Sequence, residues 1–128
     1  MNIQSLGRHQ KSWGYEIVWA SNEQYCGKIL VFENVGAKSV LNISKNRKKS
    51  WFINNGRFKF TFIDIASGKT IEATLEEGKT VDIAEMSPHC VEALQPNSMI
   101  FEAGMPDDLE DQFRLSPDDT QTSSEELK

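Results

Sequence analysis

Histidine, cysteine and proline are all scarce in this chain, with two, two and four copies in 128 residues, and each shortage closes off a class of protein. Cys26 and Cys90 sit in no CxxC or paired Cys/His spacing, so a closed Cys/His zinc site is excluded. Two isolated thiols read as small core hydrophobes rather than as a disulfide. Long apolar runs are missing as well: none approaches the roughly 20 residues that span a bilayer, and no membrane partner is expected. The N-terminal MNIQSLGRHQKSWG lacks the apolar stretch and cleavage site of a secretory signal, so the expectation is a cytoplasmic chain starting near Met1. Positive charge is in deficit. Lys and Arg number 14 against 19 Asp and Glu, and the net charge of -5 repels polyphosphate backbones, so no nucleic-acid partner is expected. No GxGxxG, Walker loop, HExxH or GxSxG occurs, which removes phosphate cradles, zinc proteases and hydrolase elbows. These 128 residues have room for about one domain, and a two-domain enzyme is not expected.

What is present is a succession of short strands. Phe58, Phe60 and Phe62 fall on one face of residues 58 to 65 while Lys59 and Thr61 fall on the other, the period of two that a half-buried strand requires. Asn54-Asn55-Gly56 before it, Ala66-Ser67-Gly68-Lys69 after it and Glu76-Glu77-Gly78 beyond supply turn chemistry. The pattern predicts strands near 14–19, 26–33, 38–43, 50–54, 57–65, 70–75, 80–84, 89–95 and 98–103. Helical periodicity is weak throughout. The fold class is therefore all-β, a closed or nearly closed barrel or a two-sheet sandwich. Residues 116–128, nearly devoid of apolar side chains, read as a disordered polar tail, and residues 1–10 as an N-terminal arm, leaving 11–115 for the barrel.

Two segments carry more. The stretch GAKSVLNISKNRKKSWFINNG from Gly36 to Gly56 resembles the first cupin motif, and GKTVDIAEMSPH from residue 78 to 89 resembles the second, with an inward histidine eleven residues after a glycine. Lys11-Ser12-Trp13-Gly14, Arg47, Trp51 and residues 107–114 are similar to the small cupin domain of mannose-6-phosphate isomerase and mannose-1-phosphate guanylyltransferase proteins. The resemblance covers roughly residues 11–119 and implies a single-domain cupin, a jelly-roll barrel. It also implies four metal-ligand positions, and these hold Asn42, Ser44, Lys49 and His89. Only the histidine is a good ligand, and an ammonium has no lone pair to offer. A divalent ion about 4 Å from an ammonium is repelled by roughly 8 kcal/mol at an effective dielectric of about 20. The expectation is a degenerate site with no metal and no cofactor. The second motif is also altered, with Ala84, Glu85 and Met86 where prolines and a glycine are usual.

Each candidate residue has a functional and a plain reading. His89 is either a general base or ligand-gripping group in the barrel mouth, or a buried histidine satisfied by a neighbour. His9 reads as a solvent-exposed bystander. The run Lys45-Asn46-Arg47-Lys48-Lys49 is the densest positive patch, either an anion-gripping loop at the mouth or a solvated loop without a partner. Arg47 and Arg114 match arginines of the isomerase pattern; either can instead pair with Asp107, Asp108, Glu110 or Asp111. Trp51 is either core or a pocket wall. Cys90 neighbours His89, but adjacent strand residues face opposite ways, so the two form no dyad. The favoured reading is a metal-free, non-catalytic cupin that binds a small anionic or hydroxylated molecule, a sugar or sugar phosphate. Lys49 then supplies a fixed positive charge, and Asn42, Ser44 and His89 supply hydrogen bonds. The alternatives are a sugar-phosphate isomerase or epimerase of the mannose-6-phosphate isomerase type, and a structural dimerisation module. A homodimer is expected in each case.

Overall fold

The computed structural model describes residues 1, 3–108 and 111–115. Alternating side chains and glycine turns produce eleven strands among these residues: β1 (Arg8–Lys11), β2 (Gly14–Ser21), β3 (Cys26–Phe32), β4 (Asn42–Ser44), β5 (Lys49–Asn55), β6 (Arg57–Asp64), β7 (Lys69–Glu76), β8 (Thr80–Ile83), β9 (His89–Ala93), β10 (Ser98–Gly104) and β11 (Gln112–Arg114). They form two antiparallel sheets, six strands in the order β1-β2-β3-β10-β5-β8 and five in the order β11-β4-β9-β6-β7. No helix among the described residues is long and apolar enough to cross a membrane.

The turn before β6 shows how local sequence sets the register. Gly56 has φ +81°, and a Cβ there would lie 2.1 Å from Ser98 Oγ, so only glycine permits both the turn and its approach to β10. The Phe58, Phe60 and Phe62 face packs inward opposite Ala93, Val91 and His89 of β9.

Three stretches differ from the sequence expectation. Residues 8–10, placed in the arm, form a strand with Lys11 that pairs with β2 from Arg8↔Ile17 to Lys11↔Gly14. Its polar RHQK sequence suits an edge strand and carries no apolar alternation to announce it. Of the strand expected over 38–43, only Asn42–Ser44 forms; Lys38 makes an isolated bridge to Glu92, and Gly36 and Ser39 donate irregularly to the Ala93 and Val91 carbonyls. The short β11, also unannounced, closes the edge of the smaller sheet by pairing with β4. The tail expected over 116–128 lies outside the described residues.

The barrel interior is divided along its length. Inward positions on β3 run Lys28, Leu30, Phe32; on β5, Lys49, Trp51, Ile53; on β10, Glu102, Ile100, Ser98; and on β9, His89, Val91, Ala93. The register aligns Glu102 with Lys28 and Trp51, and Ile100 with Leu30 and Ile53, so charged residues collect at one end and apolar ones at the other. Phe32, Phe58, Ile53, Ile100 and Val91 are fully buried in the apolar half. Trp13 stacks on Phe32 at 4.3 Å, and Phe32 meets Phe58 edge-on at 5.1 Å. Burying such side chains contributes about 1.5–3 kcal/mol each, and this half holds the barrel together. A cavity of about 380 Å³ is lined by the charged residues and reaches Leu30, Phe32 and Val91 of the apolar half.

Candidate functional site: a charged barrel cavity

The cavity is organised around one carboxylate. Glu102 is on the inward phase of β10, 4 % exposed. Its Oε1 accepts the Trp51 indole Nε1–H at 2.8 Å and its Oε2 accepts an Arg47 guanidinium N–H at 3.0 Å. Lys49 Nζ stands 3.8 Å from Oε1, too far for a hydrogen bond, and 5.0 Å from the Trp51 ring centre. Burial pushes the Glu102 pKa up, but Lys49, Lys28 and Arg47 outweigh it and hold the carboxyl well below the ordinary range. Glu102 is ionised at any physiological pH.

The other charges fit round this centre. Lys28 pairs with Asp107 and lies 3.6 Å from Glu16. Burial lowers its pKa, yet Glu102, Glu16 and Asp107 together raise it. Asp107 in turn accepts from Gln112. Burial favours its neutral form, but Lys28 and Arg47 draw its pKa down. Arg47 also donates from Nε to the Met105 carbonyl at 2.8 Å.

Lys49 is the exception among these cations. Burial lowers its pKa, Glu102 opposes that, and the Arg47 and Lys28 charges add to the lowering, with a net downward shift. The fixed charge expected at this position is thus tempered by its own desolvation. Gly104 sits directly opposite on β10, and a Cβ there would come within 2.8 Å of Lys49 Cβ and 3.1 Å of the Arg47 guanidinium. Glycine leaves the space that both side chains use.

His89 is 4 % exposed and lies beside Asn42 in register. Its Nδ1 donates to the Ser87 carbonyl at 2.8 Å, which leaves the Nε2 lone pair at the cavity wall. The ring packs edge-on against Trp51 at 5.4 Å. Burial first, and then the Lys49 charge, push its pKa down to about 3, so it is a neutral acceptor at neutral pH. Such a group accepts a hydrogen bond well and takes up a proton poorly, which limits it as a general base.

The structure brings Asn42, Ser44, Arg47, Lys49, Trp51, His89 and Arg114 to one cavity. Arg47 differs from its sequence reading as a residue of an exposed loop. It is 6 % exposed because Glu102, 55 positions away, offers an interior counter-charge. Its neighbours Lys45 and Lys48 are exposed as the run suggested, with Lys48 3.9 Å from Glu85. Asp111 anchors that loop by accepting the Lys45 and Asn46 backbone N–H groups at 3.0 Å. His9, exposed on β1, stands at the cavity rim. Cys90 faces the opposite way from His89, into a groove on the outer side lined by Thr61, Ile63 and Thr70. Both cysteines are free and buried.

Glu102, Lys28 and Glu16 were not among the sequence candidates. The available signal was phase: Glu102 follows Ser98 and Ile100 at steps of two, and a carboxylate on the buried phase of a strand needs a partner. Among the described residues no three His, Cys, Asp or Glu side chains converge, and Asn42, Ser44, Lys49 and His89 present an amide, a hydroxyl, an amine and one imidazole to the cavity.

No protein-family model and no curated protein matches the chain. Solved structures do. Oxalate decarboxylase from Bacillus subtilis superimposes with a TM-score of 0.75 and 16% identity over 85% of this chain, which spans 30% of that protein's length. KdgF from Halomonas sp. superimposes with a TM-score of 0.63 and 16% identity over 73% of this chain and 79% of its own. Both are cupins, and the likeness together with the two antiparallel sheets shows that the fold of this chain is a cupin-type jelly-roll.

Proposed function

We propose that this cupin is a metal-free binding module that holds a small anionic or hydroxylated molecule, a sugar or sugar phosphate, in its barrel cavity without turning it over. One observation carries the reading. The cavity is lined by Lys11, Lys28, Arg47, Lys49 and Arg114 against Glu16, Glu102 and Asp107, a positive excess inside a chain whose net charge is -5. Lys28 and Arg47 answer the interior carboxylates at short range, and Lys49, 3.8 Å from Glu102 and without a hydrogen bond to it, borders the cavity where a phosphate or carboxylate would sit. Asn42, Ser44 and the His89 Nε2 offer hydrogen bonds suited to hydroxyl groups. A cavity of about 380 Å³ falls in the size range of small-molecule sites.

The test is calorimetric titration with mannose 6-phosphate and mannose, alongside a turnover assay with and without zinc. Binding that favours the phosphate, with no turnover in either condition, is expected. Lys49→Glu should abolish that binding or create affinity for a divalent metal; a variant unchanged in both respects sinks the reading. Zinc-dependent isomerisation would move the protein to the isomerase class instead.

We further propose that the chain is a homodimer. Ile17, Ile29, Phe101 and Phe52 form one cross-strand row on the outer face of the larger sheet, where Phe101 and Phe52 are 39 % and 40 % exposed. Trp19 lies beside the row over Gly27. Such a patch favours a second apolar face.

A further inference from the structure

We propose that Lys49 is a carbonyl-capturing amine, whose Nζ adds to the aldehyde or ketone of a small anionic ligand in the barrel cavity and forms a reversible imine. The inference rests on the ligand-binding reading and names the reacting group of the ligand.

A buried lysine is ordinarily committed to an ion pair and its hydrogen bonds. Lys28 is, through Asp107 and Glu16. Lys49 is not. Both oxygens of its nearest carboxylate are taken, Oε1 of Glu102 by Trp51 at 2.8 Å and Oε2 by Arg47 at 3.0 Å. Its own Nζ, 3.8 Å from Oε1, hydrogen-bonds no described residue and borders the cavity. Glu102 thus balances this amine at ion-pair distance while its hydrogen bonds go to Trp51 and Arg47.

The surroundings also favour its neutral, nucleophilic form. Desolvation and two neighbouring cations are the means by which lysines become nucleophiles near neutral pH, and Lys49 has burial, Arg47 and Lys28 all acting in that direction. Gly104 keeps the space beside it clear. His89 Nε2, a neutral acceptor, can receive a hydrogen bond from the hydroxyl of the adduct.

In the step itself the Nζ lone pair forms the C–N bond as the C=O π pair moves onto oxygen. One amine proton passes to that oxygen to give a carbinolamine. The hydroxyl then departs with the second amine proton as water, leaving C=N. Nothing is oxidised or reduced, and hydrolysis reverses each step.

The full chain is incubated with pyruvate or D-glyceraldehyde 3-phosphate, reduced with sodium borohydride and mapped by peptide mass spectrometry. Lactate and glycerol 3-phosphate serve as carbonyl-free counterparts. A lowered amine pKa raises the neutral fraction, so labelling of Lys49 several-fold faster than that of exposed Lys45 and Lys48 is expected. The counterparts should slow it, and Lys49→Arg, checked for folding by thermal melting, should lose the adduct. Labelling of Lys49 no faster than of Lys45 and Lys48 in the native chain overturns the proposal. If the carbonyl-free anions bind and Lys49 stays unlabelled, imine capture fails and the cavity reading stands. If nothing binds and nothing labels, both fall.

Discussion

Gly104 and Lys49 face each other across β10 and β5, so close that a methyl group on the glycine would come within 2.8 Å of the lysine Cβ. Gly104 is not in the left-handed region of backbone space, so its role is room rather than turn formation. Gly104→Ala should cost about 1–3 kcal/mol from overpacking, and should weaken phosphate-ligand binding by moving Lys49 and Arg47. Urea unfolding and calorimetry measure the two effects. A stable variant with full affinity would mean that the cavity does not depend on this contact.

Glu102 neutralises a cluster of three cations, and that makes its removal asymmetric. Glu102→Ala should destabilise by about 3–5 kcal/mol, because Arg47 and Lys49 then lose the buried carboxylate that faces them both. Replacing Arg47 and Glu102 together by methionine should cost clearly less than the sum of the two single changes. Additive losses in equilibrium unfolding would show that the pair is not energetically coupled.

His89 gives a pH signature with a defined sign. Its pKa is about 3 in the fold against 6.5 in an unfolded chain, so the unfolded state binds the extra proton between those values. Stability is therefore full above about pH 6.5 and falls as the pH drops, by about 1–2 kcal/mol between pH 6.5 and 5. His89→Asn keeps a donor for the Ser87 carbonyl but cannot titrate, and should flatten that part of the curve. If wild type and variant lose stability equally over this interval, the histidine is not buried in its neutral form.

The outer apolar row gives a prediction about assembly. Phe101→Asp puts a charge at the centre of that row and should convert a dimer to a monomer with little change in the melting of the monomer itself. Sedimentation equilibrium decides it. A wild-type chain that is monomeric at high concentration would end the dimer proposal.

How far the sequence carries can be seen residue by residue. Phe58, Phe60 and Phe62 announced β6, and Asn54-Asn55-Gly56 announced its turn, because period and turn chemistry are local properties. The spacing of the cupin frame pointed to Asn42 and His89, which the register sets side by side. Arg47 was harder. In the run Lys45 to Lys49 it is indistinguishable from its solvated neighbours, and what buries it is Glu102, far along the chain on another strand. Strand β1 escaped notice for the opposite reason: an edge strand can be polar on both faces, so nothing in its pattern alternates.

Alternation and turn residues thus determined the all-β class, since those depend only on which residues occur and at what step, and the resemblance in spacing singled out His89 as an inward position. Which charges meet inside was decided by the tertiary structure alone. Electrostatic energy depends on through-space distance and on how much water is excluded, and it took the pairing of β10 with β3 and β5 to place Glu102 among Lys28, Arg47 and Lys49, satisfy two of those cations, and leave one amine facing the cavity.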